Sequence, residues 1–154
     1  QHDSGVIMPR SIDAQHSPVH WSYGGVDGAE QVVVDGFAVP VECQIARACG
    51  LNLLLIGSRG RTEQVLRALV PADGAAIWEP GMPLRLDEGI DTLILRNVDQ
   101  LPPHDQLRLA VWLEQHAPDI HVVSTAPAPL VDDVDTGRFR DDLYYRLNAI
   151  YVRC

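Results

Sequence analysis

The chain has 154 residues, 46% of them apolar and 21% charged, with 12 Gly and 11 Pro spread along it. That is the size of one ordinary domain with a single core, and the composition excludes disorder and low complexity. Twelve basic against twenty-one acidic side chains leave a formal charge of −9, which argues against a surface built mainly to neutralise nucleic-acid phosphates, though it leaves room for a local basic patch. All twelve basic residues are Arg. Schiff-base chemistry is therefore excluded, and so is the lysine with which many nucleotide-binding loops grip phosphate. Cys43, Cys49 and Cys154 are an odd number without CxxC spacing, so neither a disulfide framework nor a zinc cluster is expected, and a reducing cytoplasm fits best. No apolar run reaches the length that spans a bilayer. The sequence begins at Gln1, and a native start is expected at Met8.

Residues 1–36 are rich in Gly, Ser, Asp and His, contain a short apolar run at Val32, Val33 and Val34, and read as an irregular N-terminal arm. From Pro40 the pattern changes. Val41, Ile45, Ala48 and Cys49 recur at helical spacing, with Pro40 suited to a first turn and Gly50 to a stop. Leu53 to Ile56 is a continuous apolar run, as expected of a strand covered on both faces. A Gly-Ser-Arg-Gly-Arg-Thr turn follows, then a helix from Glu63 to Val70 ended by Pro71. Further strands are predicted at Ala75 to Trp78, Thr92 to Leu95, Val122 to Ser124 and Ala149 to Val152. Helices are predicted between them at Pro103 to His116 and Arg138 to Leu147. The alternation predicts an α/β sandwich on a five-stranded parallel sheet, with function at the carboxyl ends of the strands.

The turn after Leu53–Ile56 sits where oriented amides and a helix dipole create an anion site. A working phosphate loop requires GxxxxGK[ST]: glycines for close backbone approach, lysine for the terminal phosphates, a hydroxyl for magnesium. Here the turn reads Gly57, Ser58, Arg59, Gly60, Arg61, Thr62, Glu63, so the second glycine slot holds Thr62 and the lysine slot holds Glu63. Each unit of repulsion at about 4 Å costs on the order of 1 kcal/mol in water and about 4 at an effective dielectric of 20. The standard grip on ATP is therefore not expected.

Three segments in order resemble the central AAA+ ATPase domain of the bacterial sigma-54 activators, the enhancer-binding proteins. Leu53 to Leu69 is similar to that family's strand, phosphate loop and first helix. Asp91-Thr92-Leu93-Ile94-Leu95-Arg96-Asn97-Val98-Asp99-Gln100-Leu101-Pro102 is similar to the family's G-T-L-F-L-D-E-I-G-E-L-P. Gly137-Arg138-Phe139-Arg140-Asp141-Asp142-Leu143-Tyr144-Tyr145-Arg146-Leu147-Asn148 matches G-R-F-R-E-D-L-Y-Y-R-L-N almost throughout. The resemblance covers roughly 38–153. It implies an AAA+/P-loop-like three-layer sandwich over 37–154, without a helical lid because the chain stops at Cys154, where the family enters it.

The departures lie on one side of the chemistry. Where the family has its magnesium-binding Asp and water-activating Glu, this chain has Arg96 and Asn97, and neither side chain can do those jobs. The sensor strand reads Ser124-Thr125-Ala126-Pro127 where the family ends in Asn, and no Gly-Ala-Phe-Thr-Gly-Ala loop lies between Trp78 and Gly89. The resemblance makes Arg140 and Arg146 the arginine fingers, which act across a subunit interface on phosphates held by a neighbour. The chain is thus expected to be a catalytically inactive regulatory or assembly module in transcription control, requiring neither ATP nor magnesium. Its partner would be an active AAA+ ATPase or a second copy. The alternative is an atypical ATP-binding protein or nucleotide sensor, with Arg59 and Arg61 assisting the loop amides.

Plainer readings stand beside these. The turn serves equally as a structural connection, and Arg140 and Arg146 as surface arginines paired with Asp141 or Asp142 while Phe139, Leu143 and Leu147 pack inward. Arg96 can pair with Glu63, filling the altered phosphate position with an internal ion pair. No metal site is expected: Ser17-Pro18 separates His16 from His20, and Asp132, Asp133 and Asp135 read as a solvated loop.

Overall fold

The computed structural model describes residues 20–22, 31–34, 36–70, 74–117 and 119–154. It opens with three short strands, β1 (His20–Ser22), β2 (Gln31–Val34) and β3 (Phe37–Pro40), paired antiparallel in the order β1-β2-β3. Two of these strands lie inside the segment read from sequence as an irregular arm. Apart from Gly36, the rest of that segment, with Met8 and His16, lies outside the described residues.

Helix α1 (Val41–Cys49) follows directly and ends on Gly50 in the left-handed region (φ 66°), whose N–H closes on the last carbonyls of the helix. The alternation expected from the sequence then unfolds: β4 (Leu53–Ile56), α2 (Arg59–Leu69), β5 (Ala75–Trp78), β6 (Thr92–Leu95), a 3₁₀ turn (Val98–Gln100), α3 (Pro103–His116), β7 (His121–Ala126), α4 (Val131–Asp135), α5 (Asp141–Leu147) and β8 (Ile150–Arg153). The strands β4 to β8 form one five-stranded sheet in the order β5-β6-β7-β4-β8, parallel at every pairing.

Side-chain alternation along β4 divides the core in two. Leu54 and Ile56 face one layer with Leu93, Leu95 and Val122, covered by Leu109, Ala110 and Leu113 of α3 and Leu143 and Leu147 of α5. Leu53 and Leu55 face the other with Ile94 and Val123, covered by Cys43 and Ala46 of α1 and Val65, Leu66 and Leu69 of α2. All four β4 residues are at most 5% exposed, as a strand covered on both faces requires. This is a three-layer α/β/α sandwich. The chain leaves β4 toward β5 at one edge and leaves β7 toward β8 on the other side, so the carboxyl ends of β4 and β7 form the switch point where such sheets bind ligands.

Candidate functional site

The turn after β4 differs from its sequence reading. The helix was expected from Glu63; it begins at Arg59, leaving only Gly57 and Ser58 between strand and helix. The physical reason is local. Ser58 sits in an extended conformation as N-cap, its Oγ accepting from the Arg61 N–H at a long 3.4 Å, and nothing from Arg59 to Glu63 demands a non-helical backbone. Thr62, in the second glycine slot, is 3% exposed and bonds back through its Oγ1 to the Ser58 and Arg59 carbonyls at 3.1 Å. Of the amides a phosphate would meet, that of Gly57 already donates to Ala126 O at 3.1 Å and that of Thr62 to Ser58 O at 3.0 Å. Gly57 also has a packing reason to be glycine: a Cβ there would come 3.1 Å from the Cys154 carbonyl oxygen and 3.2 Å from its Cβ.

The side chains of the turn scatter. Arg61 turns to β3, donating to Ala38 O at 2.9 Å and to Gln64 Oε1 at 3.4 Å, so it does not assist an anion beside Arg59. Arg59 points to a cleft of about 270 Å³ lined also by Glu79, Pro80, Arg96, Asn97 and Gln100.

Glu63 reaches the same region from α2 and meets Arg96. The guanidinium forks onto it, Nε to Oε1 at 2.5 Å and Nη2 to Oε2 at 3.2 Å, while Nη1 holds Glu79 Oε1 at 2.7 Å. Strand register explains the third member. Trp78 pairs with Leu95, and the Arg96 N–H donates to Trp78 O at 2.9 Å, so the residues that follow the two strands are neighbours. Burial disfavours the guanidinium charge, but the two carboxylates outweigh that and raise the Arg96 pKa above its already high ordinary value. One guanidinium thus bridges two carboxylates, which leaves the trio with a net charge of −1 and Glu79 partly exposed to water. Asn97 takes the left-handed conformation (φ 49°), which Asn tolerates, and its N–H donates to Thr125 Oγ1 at 3.1 Å, tying the end of β6 to β7.

Arg140 lies just before α5, as its N-cap, and not within the helix expected over Arg138 to Leu147. The residues ahead of it form the separate short helix α4 and a turn closed by Gly137, so the acidic run read as a loop is helical. Arg140 is exposed and forks onto Asp142, Nε to Oδ1 at 3.0 Å and Nη2 to Oδ2 at 2.9 Å, which lowers the Asp142 pKa below the ordinary carboxylate value. Arg146 is half-buried, and its backbone carbonyl accepts from Asn52 Nδ2 at 2.8 Å. Phe139, Leu143 and Leu147 are each at most 1% exposed, anchoring the segment as their spacing required.

One residue that sequence reasoning passed over holds this segment in place. Gln106 of α3 is 2% exposed; its Nε2 donates to Leu101 O at 2.8 Å and Arg138 O at 3.1 Å, and its Oε1 accepts from the Arg140 N–H at 2.9 Å. The available signal was a glutamine inside the stripe Gln106, Leu109, Ala110, Leu113, where an apolar residue is the rule.

Residues 79–154 match the family model described as the sigma-54 interaction domain. That segment, just under half of the chain, is similar to the family. The matched part carries Glu79, Arg96, Asn97, Arg140 and Arg146 and leaves the turn at 57–63 outside. The chain is 37% identical over 73 residues to the probable regulatory protein HrpS of Pseudomonas syringae pv. syringae, covering 40% of this chain and 24% of that protein. It is 36% identical over 70 residues to the C4-dicarboxylate transport transcriptional regulatory protein DctD of Rhizobium meliloti, covering 38% of this chain and 15% of that one. It therefore spans less than a quarter of the length of either relative. Among solved structures, NtrX of Brucella abortus in complex with ATP superposes with a TM-score of 0.59 at 17% identity over 73% of this chain and 35% of that one. The P-loop NTPase domain of the E. coli sigma-54 transport activator superposes with a TM-score of 0.52 at 16% identity over 74% of this chain and 89% of that one. The fold is that of AAA+ P-loop NTPase domains, and the segment similar to the sigma-54 interaction domain forms its second half. No described helix is long and apolar enough to cross a membrane, and no group of three or more potential metal ligands occurs among the described residues.

Proposed function

We propose that this chain is a sigma-54 interaction domain that neither clasps nor hydrolyses ATP, and that it acts by protein–protein contact in bacterial transcription regulation inside the cell. One observation carries the reading: the Glu63–Arg96–Glu79 ion network lies across the strand ends where a nucleotide would need a cation for its phosphates and free carboxylates for its magnesium. Magnesium-ATP does not fit these residues. Glu63 and Glu79 are both engaged by a guanidinium, Asn97 offers a neutral amide, and the loop that would wrap the phosphates is wound into the first turn of α2.

The contact face is the one bearing Arg140 and Arg146, where the sequence resembles the family's G-R-F-R-E-D-L-Y-Y-R-L-N almost throughout. Arg140 is solvent-exposed and, among the described residues, its side chain is held only by its neighbour Asp142, so a partner's phosphate can compete for it. An arginine supplied across an interface stabilises charge on a transferring phosphoryl group without needing a site of its own. The test is to add this chain to the P-loop NTPase domain of the E. coli sigma-54 transport activator and measure ATP hydrolysis. The expected result is a change of rate lost in Arg140→Ala; an unchanged rate in excess chain contradicts the reading.

A second reading, a weak nucleotide or anion sensor, is favoured by one feature. Arg59 makes no ion pair among the described residues and faces the cleft beside the first amides of α2. Phosphate binding lost in Arg59→Ala, without hydrolysis, would select it.

A further inference from the structure

Among the described residues, no strand pairs with the far edge of the sheet, a feature the nucleotide site does not explain. β5 is the terminal strand, and its four residues, Ala75, Ala76, Ile77 and Trp78, include no charge and no proline to blunt that edge. Ile77 is 42% exposed and Met82 46%, and with Ala76, Pro83 and Ile90 they line a groove of about 420 Å³ whose remaining lining is Arg85 and Asp87. Burial alternates along the flanking segment: Leu84 is buried and Leu86 half-buried, while Pro83, Arg85 and Asp87 are exposed on the opposite side. Among the described residues neither Arg85 nor Asp87 makes an ion pair.

Charge identifies the occupant. Two copies of a chain carrying −9 repel over most of their surface, yet this apolar groove is lined by one cation and one anion, two residues apart. In an antiparallel contact about a two-fold axis, residues equidistant from the axis on either side face one another. With the axis at Leu86, Arg85 of each copy faces Asp87 of the other, forming two ion pairs while Ile77 and Met82 are covered. A partner of uniform charge would satisfy only one of the two. We propose that two copies of this chain associate across the β5 edge about a two-fold axis near Leu86, with Arg85 of each copy paired to Asp87 of the other. This contact uses neither Arg140 nor Arg146, so its test is independent of the proposed function.

Sedimentation velocity from low micromolar to about 0.5 mM decides it. The expected result is a monomer–dimer equilibrium whose Kd rises about tenfold or more in Arg85→Asp and again in Asp87→Arg, because each creates two like-charged pairs. The double variant Arg85→Asp/Asp87→Arg re-forms both pairs with reversed polarity and restores the wild-type Kd. Ile77→Glu abolishes the dimer. A protein monomeric throughout the range, a dimer indifferent to the single reversals, or a double reversal that fails to rescue overturns the proposal. Far-UV circular dichroism checks that the variants remain folded, which exposed positions permit.

Discussion

Removing Arg96 tests the ion network most sharply. Arg96→Ala leaves Glu63 and Glu79 facing the same emptied position, each having lain within 2.7 Å of a guanidinium nitrogen. Two carboxylates about 6 Å apart repel by about 3 kcal/mol at an effective dielectric of 20. The site is only partly shielded: Arg96 and Glu63 side chains are 23% and 22% exposed but Glu79 is 39% exposed, and water admitted by the truncation screens the pair further. The net loss is then about 1–3 kcal/mol, between the value for exposed pairs and that for breaking a buried one. For a chain of this size that lowers Tm by about 2–10 °C. Thermal and urea unfolding followed by circular dichroism measure it, with the urea slope unchanged. Adding Glu63→Gln to Arg96→Ala relieves the repulsion and recovers part of the loss, and raised salt does so more weakly. An Arg96→Ala protein as stable as wild type, or one that Glu63→Gln destabilises further, refutes the reasoning.

Gln106→Leu roughly keeps volume but strands the buried Leu101 carbonyl and the part-buried Arg138 carbonyl and Arg140 N–H, so urea unfolding should show a loss of about 2–4 kcal/mol. His121 is held neutral by burial beside Arg47, its pKa lowered from 6.5, so the unfolded chain takes up the proton first. Stability should therefore fall as pH drops through about 6.5, and His121→Gln should flatten that limb of a pH-dependent urea series. Gly57→Ala pushes a methyl against the Cys154 backbone at 3.1 Å and should cost about 1–3 kcal/mol in the same unfolding assay, with loss at the end of β8 seen by amide exchange. A neutral Gly57→Ala would show that this contact yields easily.

The sheet was legible because each strand is a short apolar run between helical periods. All five were placed, although β7 runs three residues further than its reading, Val122–Ser124, through the polar His121 and Thr125 and the small Ala126. The pairing of Arg96 with Glu63 was legible as chemistry, since opposite charges stand at the two altered positions. Glu79 was not, because its place beside Arg96 depends on the register of β5 on β6, which periodicity does not carry. The start of α2 was misplaced because the turn was read through the loop it resembles; Ser58 followed by helix-tolerant residues was the local signal, and it won. The small strands at 20–22 and 31–34 are too short to show a period, and α4 is a single acidic turn stabilised by its neighbours. The Gln106 clamp joins residues 32 and 34 positions apart, a relation that only the folded chain displays.

Calorimetric titration of the purified chain with ATP and magnesium tests the central claim most directly. The expected result is no binding tighter than about 100 μM and no hydrolysis in the cell. Low-micromolar binding, or turnover abolished by Glu63→Ala or Asn97→Ala, would contradict it.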